Sequence, residues 1–247
     1  MLSLSFKLEI CCGSADDVFA AAEAGAHRCE LNSSLFLGGL TPSIGLVREA
    51  KKAGIPIIAM LRPRDGGFCY TAHEFQQIIM DMDAFDQEGV DGFVFGILNP
   101  DGTVDTERCR LLCEKARDKE KVFHRAFDVV PNWRSAMDQL VELGFNRILT
   151  SGQAPNSIEG ANTIKEMIEY ASGRIEILPG GGIRPHNIRA FIEKTGCTQA
   201  HASAGSIRKD TSCANNSTVH FGPMPGMPED EYSVTDIAKV KALLANI

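Results

Sequence analysis

The sequence predicts an α/β fold of one domain, a (β/α)8 barrel of the TIM-barrel type spanning residues 1–247. Three observations lead there. Short β-branched or aromatic runs alternate with apolar-periodic helical stretches. The alternation completes eight times, and the chain has the length of about 250 residues usual for this barrel. An open doubly wound sheet would carry a glycine-rich nucleotide loop after its first strand, and Cys11-Cys12-Gly13-Ser14-Ala15-Asp16 lacks that spacing.

Strands are expected at residues 7–11, 28–31, 56–61, 92–96, 121–127, 147–150, 174–178 and 199–203. Helices are expected between them at 15–24, 43–53, 72–88, 105–117, 133–143, 157–171 and 185–195, with a last one at about 234–245. The punctuation is glycine. Gly25, Gly54, Gly89, Gly144, Gly173 and Gly196 each close a helical stretch just ahead of a strand, where a positive φ carries no Cβ penalty. Two stretches exceed a minimal barrel: 32–42, with Gly38-Gly39 ahead of Thr41-Pro42-Ser43, and a long loop at 206–233 rich in Asn, Ser, Gly and Pro. Both leave strand C-terminal ends, the barrel face on which sites form. The Pro/Met-rich run 222–228 reads as a lid or as a subunit contact.

Composition narrows the partners. A net charge of −7, from 25 Lys+Arg against 32 Asp+Glu without a basic run, argues against a nucleic-acid partner. No apolar run is long enough to span a membrane, and residues 1–8 lack a cationic leader, so a cytoplasmic protein is expected. Eight cysteines in so long a chain read as reduced thiols rather than a disulfide framework.

Side chains alternate along a strand, so one parity faces the barrel interior. Glu9 and Cys11 share a parity on strand one; Arg28, Glu30 and Asn32 share one on strand two. Arg62 and Arg64 follow strand three, strand five offers His124 and Asp128, and strand eight offers His201 and Ser203. Charges within apolar strands are costly unless paired, so this convergence reads either as a site or as a Glu–Arg lattice capping the barrel. As a site, Arg62 and Arg64 would be forks for a carboxylate or phosphate. His124 would work as acid or base with Asp128 or Glu30 beside it, and Glu9 and Glu30 would perturb each other's ionisation.

Gly180-Gly181-Gly182 follows strand seven, and the loops after strands seven and eight often hold phosphate in this architecture. A tight turn before Pro185 is the plainer alternative. Among the cysteines, Cys12 and Cys29 have outward parity, and Cys109 and Cys113 lie i,i+4 on one helix face. Cys11 alone combines inward parity with a strand end, which makes it the candidate metal ligand. Its soft thiolate favours Cu(I) over Mg2+ or Ca2+.

Several motifs, in order along the chain, resemble the CutC copper homeostasis family. They are Leu8-Glu9-Ile10-Cys11, Gly38-Gly39-Leu40-Thr41-Pro42-Ser43, Arg62-Pro63-Arg64, Phe123-His124-Arg125-Ala126-Phe127-Asp128, Leu149-Thr150-Ser151-Gly152 and Pro179-Gly180-Gly181-Gly182-Ile183. The resemblance implies a cytosolic (β/α)8 barrel, a homo-oligomer (dimer or tetramer), linked to copper tolerance and binding Cu(I) through cysteines. Cys11 matches the family's strand-one cysteine. The second family cysteine is replaced here by Asn32, and Asp65 interrupts the family's Arg-Pro-Arg-Gly-Gly run. Two functions are therefore in view. One is a copper homeostasis protein that binds Cu(I). The other is a TIM-barrel enzyme or binding protein for a small anionic or phosphorylated metabolite, with Glu9, Glu30, His124 and Asp128 as chemistry and Arg62, Arg64, Ser151, Gly180, Gly181, Gly182, His201 and Ser203 as ligand contacts.

Overall fold

Eight parallel strands form one sheet in the computed structural model of the chain. They are β1 (Lys7–Cys12), β2 (Arg28–Leu31), β3 (Ile57–Met60), β4 (Gly92–Phe95), β5 (Glu120–Phe123), β6 (Arg147–Thr150), β7 (Glu176–Pro179) and β8 (Gln199–Ala202). Their order in the sheet is β7-β6-β5-β4-β3-β2-β1-β8, and a single bridge between Gly180 and His201 brings β7 to β8. The fold is the expected (β/α)8 barrel. Described are residues 6–213, 215, 216, 218, 219 and 228–247. The questions of a leader at the start and of a lid or contact at 222–227 lie outside them.

The helices are α1 (Ala15–Ala24), α2 (Ile44–Lys51), α3 (Ala72–Gln87), α4 (Thr106–Ala116), α5 (Trp133–Glu142), α6 (Ala161–Ala171), α7 (Ile188–Thr195) and α8 (Ile237–Ala245). Their starts are written in the sequence. Ser14, Ser43, Thr71, Asp105, Asn132 and Asp236 each accept a first-turn amide on the side chain, and Thr71 with Glu74 closes a full capping box. α6 and α7 start later than the sequence suggests. Ser157 is tied instead to the Gly180 and Gly181 carbonyls, and Asn187 Oδ1 accepts the Arg184 amide, so both segments turn before they coil.

Two apolar regions follow the strand alternation. A small interior cluster joins Ile58, Met60, Val94, Val122, Leu149 and Leu178. The larger belt lies between strands and helices and takes in Cys12, Cys29, Cys109, Cys113 and Cys197. All eight thiols are free. Burial pushes the Cys113 thiol up to about 12 and that of Cys12 well above its usual value, so these sulfurs pack as small hydrophobes.

The chain departs from the expected layout in two places. Strand five ends at Phe123, and residues 125–129 form a 3-10 turn, Arg125–Val129, instead of extending the strand. The long loop at 206–233 carries two strands, β9 (Gly205–Lys209) and β10 (Glu231–Thr235), paired antiparallel. The ribbon is held against the barrel wall where the Thr235 amide donates to the buried Asp17 carboxylate. Strand-like alternation in Gly205-Ser206-Ile207-Arg208-Lys209 is short and polar, which hides it in a Gly/Ser-rich context. No helix of the described residues is long and apolar enough to cross a membrane.

Candidate metal-binding site at the barrel mouth

Inward parity places charge at two levels of the barrel. At the lower level, the Arg28 guanidinium donates through Nε to Glu9 and through Nη2 to Gln199 Oε1 (2.6 Å). Gln199 passes on to Glu176 Oε2 (3.2 Å), and Arg147 joins Glu176 (3.1 Å) to Glu120 (2.6 Å). This floor is a lattice in which each charge meets its opposite, the arrangement that makes buried charge tolerable. Burial alone would raise the Glu9 pKa, but Arg28 and the hydrogen bond from His201 outweigh it and hold the carboxyl well below the usual range.

One layer higher, Cys11, Glu30 and His201 converge. One donor atom from each lies within 4.8 Å of the others. The pairing register explains the meeting: Glu9 is level with His201 across β1 and β8, and Cys11 is level with Glu30 across β1 and β2. His201 Nδ1 lies 2.8 Å from Glu9 Oε1. With that nitrogen turned to Glu9, Nε2 is the ring nitrogen left for another partner. A carboxylate behind an imidazole fixes its tautomer and raises its basicity, the arrangement metal-ligating histidines use.

Ionisation at the mouth follows from burial and neighbours. Burial disfavours the His201 cation, yet the Glu30 charge and hydrogen bonds with Cys11 and Glu9 carry its pKa well above the ordinary value. Burial raises the Glu30 carboxyl and the Cys11 thiol. Asn32 completes the group: its Nδ2 donates to Glu30 Oε1 (2.9 Å) and lies 3.5 Å from Cys11 Sγ. The residue that stands in place of the second family cysteine thus points at the first. Glu30 Oε2 and Asn32 Oδ1 are buried without a protein partner.

The other expected site residues go elsewhere. Arg62 is buried and donates to carbonyls, Nη1 to Leu37 (2.8 Å) and Gly39 (3.0 Å) and Nη2 to Gly66 (3.1 Å), while its Nε is buried without a partner. Its Nη groups fasten the 32–42 loop. Arg64 pairs with Glu74 and donates to three loop carbonyls, those of Asp65, Gly67 and Cys69. Asp128 is not beside His124, because the 3-10 turn carries it to the neighbouring loop. There it binds Thr150 Oγ1 (2.5 Å), the Ser151 and Gln153 amides and Arg125 Nε. Ser151 is buried within that knot, its hydroxyl accepting from Arg125 Nη2 (2.7 Å).

His124 differs from its expected role as acid or base. Its Nδ1 already accepts the Ala126 amide (3.2 Å), and burial with the nearby Arg62 charge lowers its pKa to about 3. It is a neutral ring whose proton sits on Nε2, which is buried and unpartnered. A Cβ on Gly180 would stand 2.6 Å from Leu149 Cδ1 and 3.2 Å from His201 Cβ, so the glycine permits a close approach there. Gly181 and Gly182 take positive φ, and their carbonyls accept from Ser157 and Asn187. Ser203 is exposed just past the end of β8.

Arg28, Arg147 and Gln199 are the functional neighbours that motif reading leaves out. Their signal is parity alone: each is a polar residue of inward phase at the start of a strand. Starts of strands attract less notice than ends in a fold whose sites lie at the C-terminal face.

The model of the CutC family matches residues 6–206. A family protein CutC from Treponema denticola is 45% identical over 98% of this chain and 99% of its own length. A copper homeostasis protein cutC homolog from Homo sapiens is 40% identical over 97% of this chain and 88% of its own. A solved crystal structure of CutC from Streptococcus agalactiae superposes with a TM-score of 0.76 at 36% identity, covering 80% of this chain and 98% of that one. An aldolase, QR15, superposes with a TM-score of 0.60 at 14% identity and shares the fold alone. With its matched motifs running from β1 to the end of the barrel, and relatives similar over nearly their whole length, this chain belongs to the CutC family.

Proposed function

We propose that the protein handles copper by binding Cu(I) at the barrel mouth, with Cys11 Sγ and His201 Nε2 as ligands. The observation that carries this is the convergence of Cys11, Glu30 and His201 within 4.8 Å, behind a Glu9 that orients the imidazole. Thiolate and imidazole both suit Cu(I), whereas Mg2+ and Ca2+ prefer oxygen sets. The names of the human and bacterial relatives support copper as the cargo. Loading would displace the protons that Cys11 and His201 hold, so affinity rises with pH. The eight free thiols support a cytoplasmic setting.

Competition with a chromogenic Cu(I) chelator under reducing conditions tests the reading. Wild type should remove one equivalent from the chelator, and Cys11→Ser should weaken this by about tenfold or more. No transfer to wild type, or unchanged transfer to Cys11→Ser, would overturn it.

A second reading rests on a different observation, the buried and unpartnered Glu30 Oε2, Asn32 Oδ1 and His124 Nε2. Buried polar atoms are normally satisfied, and these three suit a small polar or anionic metabolite, with Glu30 as the proton carrier. Ligand-dependent stabilisation that disappears in Glu30→Gln would support it; a panel of small anions that leaves the melting temperature unmoved would not.

A further inference from the structure

The cavity between the loops that follow β7 and β8 has walls and charges that agree on one kind of ligand. It measures about 280 Å3, and Arg184, His186 and Lys239 line it beside an apolar wall of Ile183, Pro185 and Leu243. No carboxylate lines it, in a chain whose net charge is −7. Three other cavities, of about 190 to 480 Å3, each carry acids: Asp16, Asp17 and Asp236 in one, Glu176 in the second, Asp105 and Glu107 in the third.

The cationic groups also keep donors to spare. Arg184 spends one Nη on the carbonyl of its neighbour Ile183 (2.9 Å), and Lys239 spends one of its three protons on the Gly205 carbonyl. Neither forms an ion pair, and His186 has neither hydrogen bond nor ion pair among the described residues. The N-terminus of α8 does not supply the charge, because Asp236 already accepts the Ala238 and Lys239 amides. Attraction for an anion therefore comes from the side chains.

We propose that this cavity is a subsite for the phosphate group of a small phosphate monoester. Two cations beside an imidazole donor match a phosphate better than a lone carboxylate, with Arg184 as a planar fork and Lys239 as a point charge. The volume falls just under the roughly 300 Å3 at which pockets begin to enclose whole ligands, so it takes the head group and leaves the rest outside. That remainder has a short way to the mouth. Ala204 and Gly205 line the cavity and follow His201 closely, and Ile183 follows Gly180, which bridges to His201. Loops seven and eight are a frequent phosphate position in this architecture. The inference deepens the second reading above by naming the ligand class, and it replaces Arg62 and Arg64 as the anion's partners.

Calorimetric titration of the full chain at low salt tests it, with inorganic phosphate and glycerol 3-phosphate as probes. Both should bind with a stoichiometry of one, the ester more tightly, and both should weaken by about tenfold in Arg184→Ala and in Lys239→Ala. Thermal melts of each variant show that it is folded, and Arg184→Lys should recover part of the loss. Absence of saturable binding, affinity unchanged in both alanine variants, or an ester no tighter than the free ion would overturn the proposal. Glu30→Gln separates it from the reading on which it rests, since that change removes the mouth's carboxylate and leaves the cavity's phosphate contacts in place.

Discussion

The floor and the mouth of the barrel are built from the same residue types and behave oppositely. On the floor, Arg28, Glu9, Gln199, Glu176, Arg147 and Glu120 form a chain of opposite charges and hydrogen bonds. One layer above, Glu30, Asn32 and His124 each keep a buried polar atom with no partner, against one such atom on the floor, Arg147 Nη1, on a side chain that already makes two ion pairs. Charge that is completed serves the fold, and charge left incomplete is available to a ligand. Glu9 belongs to both levels, held by Arg28 below and bonded to His201 above.

Substitutions that read the two levels against each other can break that contrast. The largest effect is expected from Arg28→Met, which leaves the buried Glu9 carboxylate with His201 as its remaining partner and should cost about 3 kcal/mol in urea unfolding. A loss below about 1 kcal/mol would show that the floor is not held by its charges.

His124 tests the mouth through pH. Its folded-state pKa is depressed to about 3 from an ordinary 6.5, so the folded state resists protonation and stability falls as pH drops below the unfolded value. Between pH 7.5 and pH 5 this contributes a loss of about 2 kcal/mol. His124→Asn, which keeps an acceptor for the Ala126 amide, should flatten that part of the stability curve; an equally steep curve in the variant would move the acid sensitivity elsewhere.

Asn32→Cys sharpens the metal side of the comparison. It sets a second thiol beside Cys11 and should tighten Cu(I) binding by about tenfold, or about 1.4 kcal/mol, in the chelator competition. The smallest effect is expected from Glu30→Gln. Its carboxyl has no cationic partner besides the His201 ring and has a pKa already raised by burial, so unfolding free energy should change by less than about 1 kcal/mol. A loss comparable to that of Arg28→Met would erase the distinction between the two levels.

The barrel was legible because two local rules repeat along the chain, glycine after helices and short apolar strands between them, and both survive without tertiary information. Parity alone brought Glu9, Cys11, Glu30 and His201 to the interior, since alternation is a property of any extended strand. It failed at Asp128 for a physical reason: His124 caps a 3-10 turn with its own side chain, and past that point alternation no longer applies. Arg62 and Arg64 misled for another reason. An arginine's reach is long, and whether its fork meets a ligand or a loop carbonyl depends on where a distant loop comes to rest. The cationic cavity was hidden likewise, as Arg184 and Lys239 are 55 residues apart in sequence and meet only through the packing of α8.

The bridge between Gly180 and His201 has a consequence for how the barrel opens. The sheet's other neighbouring strands pair over two to four residues, while β7 and β8 share this one bridge and a side-chain bond from Gln199 to the Ile177 carbonyl. Amide hydrogens along this seam should exchange with solvent by local opening, well before those of β1 and β2. His201 stands on that seam. The barrel therefore carries His201, the proposed imidazole ligand, on a seam that opens locally, where a small separation would admit a metal without disturbing the belt of core that holds the other strands.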